Sequence, residues 1–203
     1  MSTVALEEGA GEVRPLRADA RRNRARVLVA ARSVFAEHGH EAQMDEIARA
    51  AEVGVGTVYR HFPTKEGLIA ALVTDSFERI SDAATRALDA EDPWEGFTGV
   101  LWYGAELLAS NRGLTEALSV VPAVEGAGPI VQRLHATCEV LIRRAQETGQ
   151  LRPDFCADDV PMLMCGVGAA TRKAHACRES WRRHLTILLD GMRAQAATGK
   201  LPD

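Results

Sequence analysis

The sequence predicts an all-α chain: an N-terminal three-helix module built around a helix-turn-helix, then a longer helical domain. Three observations lead there. Apolar residues recur at three- and four-residue spacing through most of the chain, the period of a helix that buries one face. Runs of β-branched residues, which favour strands, are few. The stretch MDEIARAAEVGVGTVYRHFPTK, from Met44 to Lys65, fits two short helices meeting at a glycine-containing turn.

Residues 1–19 are Gly/Glu-rich without periodic apolar positions and are expected to form a disordered N-terminal arm. Residues 20–65 form the predicted helix-turn-helix domain. A first helix from about Arg21 to His38 places Val27, Ala30, Ala31, Val34 and Phe35 on one face and stops at Gly39, a favoured residue just past a helix end. Ile47, Ala48 and Ala51 share the next face, Glu52-Val53-Gly54 interrupts it, and Val55, Val58, Tyr59 and Phe62 restart it. Pro63 cannot extend that segment, so the second helix of the motif is short, from about Val55 to Phe62.

Residues 66–203 form the predicted second domain. A long fourth helix, from about Lys65 to Leu88, carries Leu68, Leu72, Phe77, Ile80 and Ala84 inward and links the two domains. Asp92-Pro93 restarts the chain as N-cap and first helical residue, with Trp94, Phe97, Leu101, Ala105 and Leu108 inward, until Asn111-Arg112-Gly113. A short helix around Leu114 to Val120 and a Gly/Pro-containing loop from Pro122 to Pro129 follow. Ile130, Leu134, Cys138, Leu141 and Ala145 mark a helix closing at Gly149; Asp158, Asp159 and Pro161 suit the first turn of another reaching about Ala174. The last helix aligns Trp181, Leu185, Leu188, Leu189 and Met192.

The chain has 203 residues, is 46% hydrophobic and has a formal charge of −4, ordinary values for a globular protein with a real core. No apolar stretch approaches the roughly 20 residues of a membrane span, and MSTVALEEGAGEV lacks a secretory signal, so a cytoplasmic protein with no membrane partner is expected. Cys138, Cys156, Cys165 and Cys177 have no metal-ligand spacing and read as reduced thiols. No G-x-S-x-G, Walker-type, H-E-x-x-H or strand-linked G-x-G-x-x-G motif is present, so no catalytic residue, metal or cofactor is expected. The charge is unevenly placed. Residues 1–12 hold three acids and no bases, residues 13–65 hold ten bases and six acids, and residues 66–203 hold fourteen bases and nineteen acids. The positive part coincides with the helix-turn-helix, and its richest portion, Arg14 to Arg26, could follow phosphates.

A helix-turn-helix places its second helix in the DNA major groove. Thr57, Tyr59, Arg60 and His61 on that helix, with Lys65 just beyond and Arg21 on the first helix, supply candidate donors for phosphates and base edges. Tyr59 is expected with its ring partly buried and its hydroxyl outward.

From Val27 to Leu72, the order and spacing of Ala31, Phe35, Gly39, Ile47-Ala48, Ala51, Val53, Gly56-Thr57, Tyr59, Phe62, Lys65-Glu66 and Leu68 resemble the N-terminal domain of the TetR family of bacterial transcriptional regulators. By that resemblance Tyr59 and Lys65 match positions that hold the DNA backbone, and Val55, Gly56, Thr57 and Arg60 lie near base edges or phosphates. Departures occur at the two helix entrances. Family members usually carry Thr or Ser before the second helix, where this chain has Gln43 with Glu46 as back-bonding partner. Gly54 replaces the usual Ser before the third.

The resemblance further implies a homodimer on a pseudo-palindromic double-stranded operator and a small-molecule effector held behind Pro93. Candidate interface residues are Gly166, Ala169, Ala170, Trp181, Leu185, Leu188, Leu189 and Met192. Candidate ligand contacts are Trp94, Phe97, Trp102, Tyr103, Glu106, Leu107, Leu134, Cys138, Met162 and Cys165, a set suited to an apolar or aromatic molecule. The expected function is a repressor released from DNA by such a ligand. The alternative is a constitutive architectural or adaptor protein that shares the DNA module and needs no effector.

Overall fold

Helix formation begins where the chain changes from Gly/Glu-rich to Arg/Ala-rich sequence. In a computed structural model that describes residues 13–110, 128–173 and 180–202, α1 spans Val13–His38. It starts eight residues ahead of Arg21, so residues 13–19 are helical rather than disordered. Arginine, alanine and leucine are strong helix formers, and Pro15 lies in the first turn, where a missing N–H costs no helical bond. Apolar periodicity could not reveal this portion, because from Val13 to Arg26 the only large apolar residues are Val13 and Leu16.

Gly39 ends α1 at φ +56°, a conformation open to glycine, and one 3₁₀ turn at Gly39–Glu41 leads to α2, Met44–Ala50. The short third helix, α3, is Val55–His61. Thr64 then caps α4, Lys65–Ala87, its Oγ1 accepting from the Gly67 N–H at 3.0 Å. Asp92 caps α5, Pro93–Ser110: its Oδ1 accepts from the N–H groups of Trp94 at 2.8 Å and Glu95 at 3.2 Å. The Glu95 N–H in particular holds the Asp92 carboxyl below the usual carboxylate range. The remaining helices are α6, Gly128–Glu147, α7, Asp159–Lys173, and α8, Ser180–Met192. Pro129 sits in the first turn of α6 rather than in a loop. The expected helix from Leu114 to Val120, most of the following loop, Ala174 and Cys177 lie outside the described residues.

Two apolar cores result. The first joins α1, α2, α3 and the start of α4 through Val27, Ala31, Phe35, Ile47, Val58, Phe62, Leu68 and Leu72. The second joins α5 to α8 with the far end of α4 and includes Phe97, Leu101, Leu141, Leu151, Val167 and Leu185. A small cluster lies between them: Val73 of α4 against Leu108 of α5, with Ile69, Phe77, Leu107 and Met164 around it. A partly buried ion pair, Arg32 on α1 with Asp75 on α4, crosses the same junction.

At the far end of α4, Arg144 donates to the carbonyls of Leu88 and, at 3.1 Å, Ala90. A side chain at position 96 would bring its Cβ within 2.9 Å of the Ala87 carbonyl, so Gly96 permits α5 to pack on that turn. The C-terminal residues close the same end. Arg193 stacks on Trp94 with 4.0 Å from guanidinium to ring centre, Arg152 pairs with Asp154 and donates to the Gly199 carbonyl at 2.7 Å, and the Leu201 N–H donates to Asp154 Oδ2 at 2.7 Å. No described helix is long and apolar enough to cross a membrane.

The terminal helices need a correction. Trp181, Leu185, Leu189 and Met192, expected to face a partner subunit, are buried in the chain's own core, and Leu188 is half-buried against it. The outward surface of α8 carries Ile187 instead, 58% exposed.

The Arg152 guanidinium and the Leu201 N–H hold the Asp154 carboxyl well below the usual carboxylate range. A depressed carboxylate contributes stability that is present above its unfolded value, about 3.9, and is lost as pH falls from there toward its folded value. Thermal unfolding across a pH series is expected to show Asp154→Asn less stable than wild type at neutral pH, with the gap closing below about pH 4. A gap that persists unchanged at pH 3 would remove this link from the account of the C-terminal closure.

Candidate nucleic-acid interface

Met44, Ile47 and Ala48 bury one side of α2 against α1, and Ala51 continues into the turn. At the entrance to α2, the Gln43 N–H donates to Glu46 Oε2 at 3.0 Å, while the Gln43 side-chain amide donates back to the Glu41 carbonyl at 2.8 Å. Gln43 and Glu46 thus tie the entrance of α2 to the backbone just before it.

On α3 only Val58 is buried, with Phe62 buried at its C-cap. Of the four apolar positions read from the sequence, Val55 is 43% exposed and Tyr59 47% exposed, which leaves Tyr59 partly buried. Gly56 and Arg60 are also exposed, with Thr57 and His61 intermediate. The helix therefore rests on two apolar contacts and presents small, polar and basic groups outward. Lys65, first in α4, places its ammonium 5.9 Å from the centre of the buried Phe35 ring.

Two arginines of α1 brace this element, a role the sequence did not suggest because it depends on contacts between distant residues. Arg24 lies over the Phe62 ring, 5.2 Å from its centre, at the C-terminal end of α3. Arg26 donates from Nη2 to the Glu52 carbonyl at 3.2 Å and to Glu52 Oε2 at 3.0 Å. Glu52 sits in the turn at φ +51°, a conformation that costs a non-glycine residue of order 1 kcal/mol and needs support from its surroundings. Arg21 is exposed on the same helix, and Gln43 is exposed at the start of α2.

Of the candidate ligand residues, Trp94, Phe97, Cys138, Trp102 and Leu134 belong to or border the larger core. Trp94 lies under Arg193 at the far end, and Phe97 packs edge-on against Phe155 with ring centres 6.0 Å apart. On α5, Trp102 meets Trp181 of α8 at 6.0 Å, whereas Tyr103 lies beside Arg79 of α4. Leu107 belongs to the junction cluster and Leu134 borders the larger core. Glu106 is exposed and pairs with Arg182 at 3.5 Å. Met162, 75% exposed, and Cys165 face solvent, so neither lines an interior pocket in this chain. Burial pushes the Cys138 thiol up to about 11, which keeps it protonated. Among the described residues, no group of three or more His, Cys, Asp and Glu side chains could hold a metal ion.

Comparison with known proteins agrees with this geometry. The family model described as "Bacterial regulatory proteins, tetR family" matches residues 27–72, and that of the "Transcriptional regulator SbtR-like, C-terminal domain" matches residues 92–194. The repressor KstR of Mycolicibacterium smegmatis is 31% identical over 138 residues, 66% of this chain and 68% of that one. The regulator UidR of Escherichia coli K12 is 30% identical over 152 residues, 69% of this chain and 74% of that one. A crystal structure of a TetR transcription regulatory protein from Mycobacterium vanbaalenii shares 38% identity, with a TM-score of 0.64 over 88% of this chain and 99% of that one.

The two sides of the motif should respond differently to truncation. Ile47→Ala removes a fully buried side chain and is expected to lower unfolding free energy by about 2–5 kcal/mol, whereas Val55→Ala, at an exposed site, should change it by less than about 0.5 kcal/mol. Denaturant titration measures both. Equal losses would mean that Val55 packs inward.

Proposed function

The chain belongs to the TetR family of bacterial regulatory proteins and is a non-enzymatic, DNA-binding transcriptional regulator, and we propose that it is a homodimeric repressor released from its operator by a small apolar or aromatic molecule. The observation that carries this reading is the shared use of α4, which packs into the core of the DNA module through Leu68 and Leu72 and into the second domain through Val73 and Ala84. A ligand that repacks the second domain can then bias the placement of α3, provided its affinity differs between the two arrangements. Relatives described as repressors support the sign of control. As a regulator of genes, it acts in the cytoplasm.

In this reading Tyr59 and Lys65 hold the DNA backbone, Val55, Gly56, Thr57 and Arg60 meet base edges or nearby phosphates, and His61, Gln43 and Arg21 lie at the margin. The partner subunit covers a surface different from the buried stripe of α8. Met162, Cys165, Gly166 and Ala169 share one side of α7, and His184, Ile187, Leu188 and Gly191 share one side of α8. Gly166 faces His184, 3.8 Å from where a Cβ would stand, so the two sides adjoin. Small residues beside exposed Met162 and Ile187 suit close approach of a second copy, and Ala170 lies at the edge of that surface. The ligand contacts retained from the sequence are Phe97, Trp102, Tyr103, Leu107, Leu134 and Cys138, with Trp94 farther away.

Selection from a random duplex library supplies the operator needed for a test. Arg60→Ala should cost roughly 1–3 kcal/mol mainly on the selected site, whereas Lys65→Ala should weaken all duplexes and lower the salt slope by about one unit. Ile187→Asp should shift sedimentation toward monomer and weaken operator binding in parallel. A stable monomer that binds a half-site with full affinity would refute the dimer. A thermal-shift screen yielding stabilising molecules, none of which weakens operator binding, would favour the constitutive alternative.

A further inference from the structure

Arg32 of α1 and Asp75 of α4 meet where the two cores adjoin, each side chain 27% exposed. Arg32 follows the buried Ala31, and Asp75 stands between the buried Val73 and Ser76. Arg32 Nη2 donates to Asp75 Oδ2. The neighbouring Nε–H is buried and has no partner among the described residues. Nε and Nη2 form one edge of the guanidinium, the edge that grips both oxygens of a carboxylate when arginine pairs side-on. The same chain shows that grip completed elsewhere: Arg152 donates from Nε to Asp154 Oδ1 at 2.6 Å and from Nη2 to Asp154 Oδ2 at 3.0 Å. The pair between α1 and α4 is therefore half closed. It makes one of the two hydrogen bonds that this edge allows, and the missing one leaves a buried donor unmet, which is destabilising.

We infer that Arg32 and Asp75 are a positioning pair for DNA recognition: operator binding turns α1 against α4 until the Arg32 Nε–H reaches Asp75 Oδ1, and the completed fork fixes the angle between the two helices. The inference rests on the DNA-binding reading above and adds to it a contact that differs between the free and the bound chain, which a shift of conformation on binding requires. Arg24 on Phe62 and Arg26 on Glu52 tie α1 to the reading helix, so the two move together. The far end of α4 is packed into the second domain through Ala84. The angle of α1 against α4 therefore sets where α3 stands relative to the second domain. An operator with two half-sites accepts one separation of the reading helices, whereas release demands no particular one. A planar fork with two hydrogen bonds admits a single angle, so its closed form belongs to the bound arrangement. Both residues act through α3, without touching DNA themselves.

The test uses the full chain, an operator selected from random duplexes and an unselected duplex of the same length. R32K keeps the charge and a single point of contact but cannot form the fork. D75N keeps the shape of the acceptor while turning one of its two oxygens into a donor. Each is expected to weaken the selected operator about tenfold, the effect of one charge-assisted hydrogen bond made only in the bound state. Affinity for the unselected duplex and the slope of log affinity against log salt should stay as in wild type, because no phosphate contact is lost. The double variant R32K/D75N should lose no more than either single one, as two partners of one interaction do. Thermal unfolding of DNA-free R32K should remain near wild type, since its ammonium keeps the one hydrogen bond that the free chain makes. Wild-type operator affinity in R32K would show a one-point pair and remove the fork. Equal weakening of selected and unselected duplexes, or an unfolding temperature of R32K that falls along with its affinity, would make the pair a structural contact of the module. Tighter operator binding by R32K would put the closed fork in the released arrangement. Each of these results overturns the inference while the reading of α3 stands, whereas a wild type that selects no operator overturns both.

Discussion

The structure depends on one helix serving two cores. Over about 34 Å, α4 places Leu68 and Leu72 among the side chains of α1 to α3, then Val73 against Leu108, then Ala84 among the side chains of α5 to α8. Close packing makes such an element hard to shift at one end only, because a displaced side chain either leaves a cavity or collides. The far end is held by Arg144 on the carbonyls of Leu88 and Ala90, and the middle by Arg32 paired with Asp75. Side chains of both modules therefore fix the position of α4.

The reading helix illustrates how little apolar contact a DNA-facing element can retain. With only Val58 and the C-cap residue Phe62 buried, α3 has too few contacts to fix its own direction, and an isolated helix of seven residues would not form in water. Arginines of α1 make up the difference, one stacked at its end and one holding the strained Glu52 turn ahead of it. Exposed ion pairs are individually weak, so this bracing acts through geometry, by fixing where the turn and the helix end lie.

The helices and their ends were legible wherever a local rule governs them. Gly39, Asp92, Pro93 and Gly149 mark boundaries because each satisfies a backbone requirement within a few residues. Periodicity found the cores for the same reason. It did not find the start of α1, where Val13 and Leu16 are the only large apolar residues ahead of Val27, and spacing alone did not separate the exposed Val55 and Tyr59 from the buried Val58 and Phe62. On α8 a single apolar stripe could face a partner or the chain's own core with the same sequence, and packing against α5 and α7 decided for the core at Trp181, Leu185, Leu189 and Met192. The bracing by Arg24 and Arg26 joins residues 38 and 26 apart in sequence, a distance at which no local rule operates. The proposed ligand contacts were drawn from apolar residues that serve equally as core, and most of them do.

The direct measurement of the central claim is amide hydrogen exchange of the full chain, free and bound to a selected operator duplex. If α4 joins the two cores energetically, DNA binding should slow exchange beyond α2 and α3, through Val73 to Phe77 of α4 and across the junction at Leu107 and Leu108 of α5. Protection confined to residues before Lys65, with the junction exchanging as in the free protein, would show that the modules are connected in the chain but not in energy.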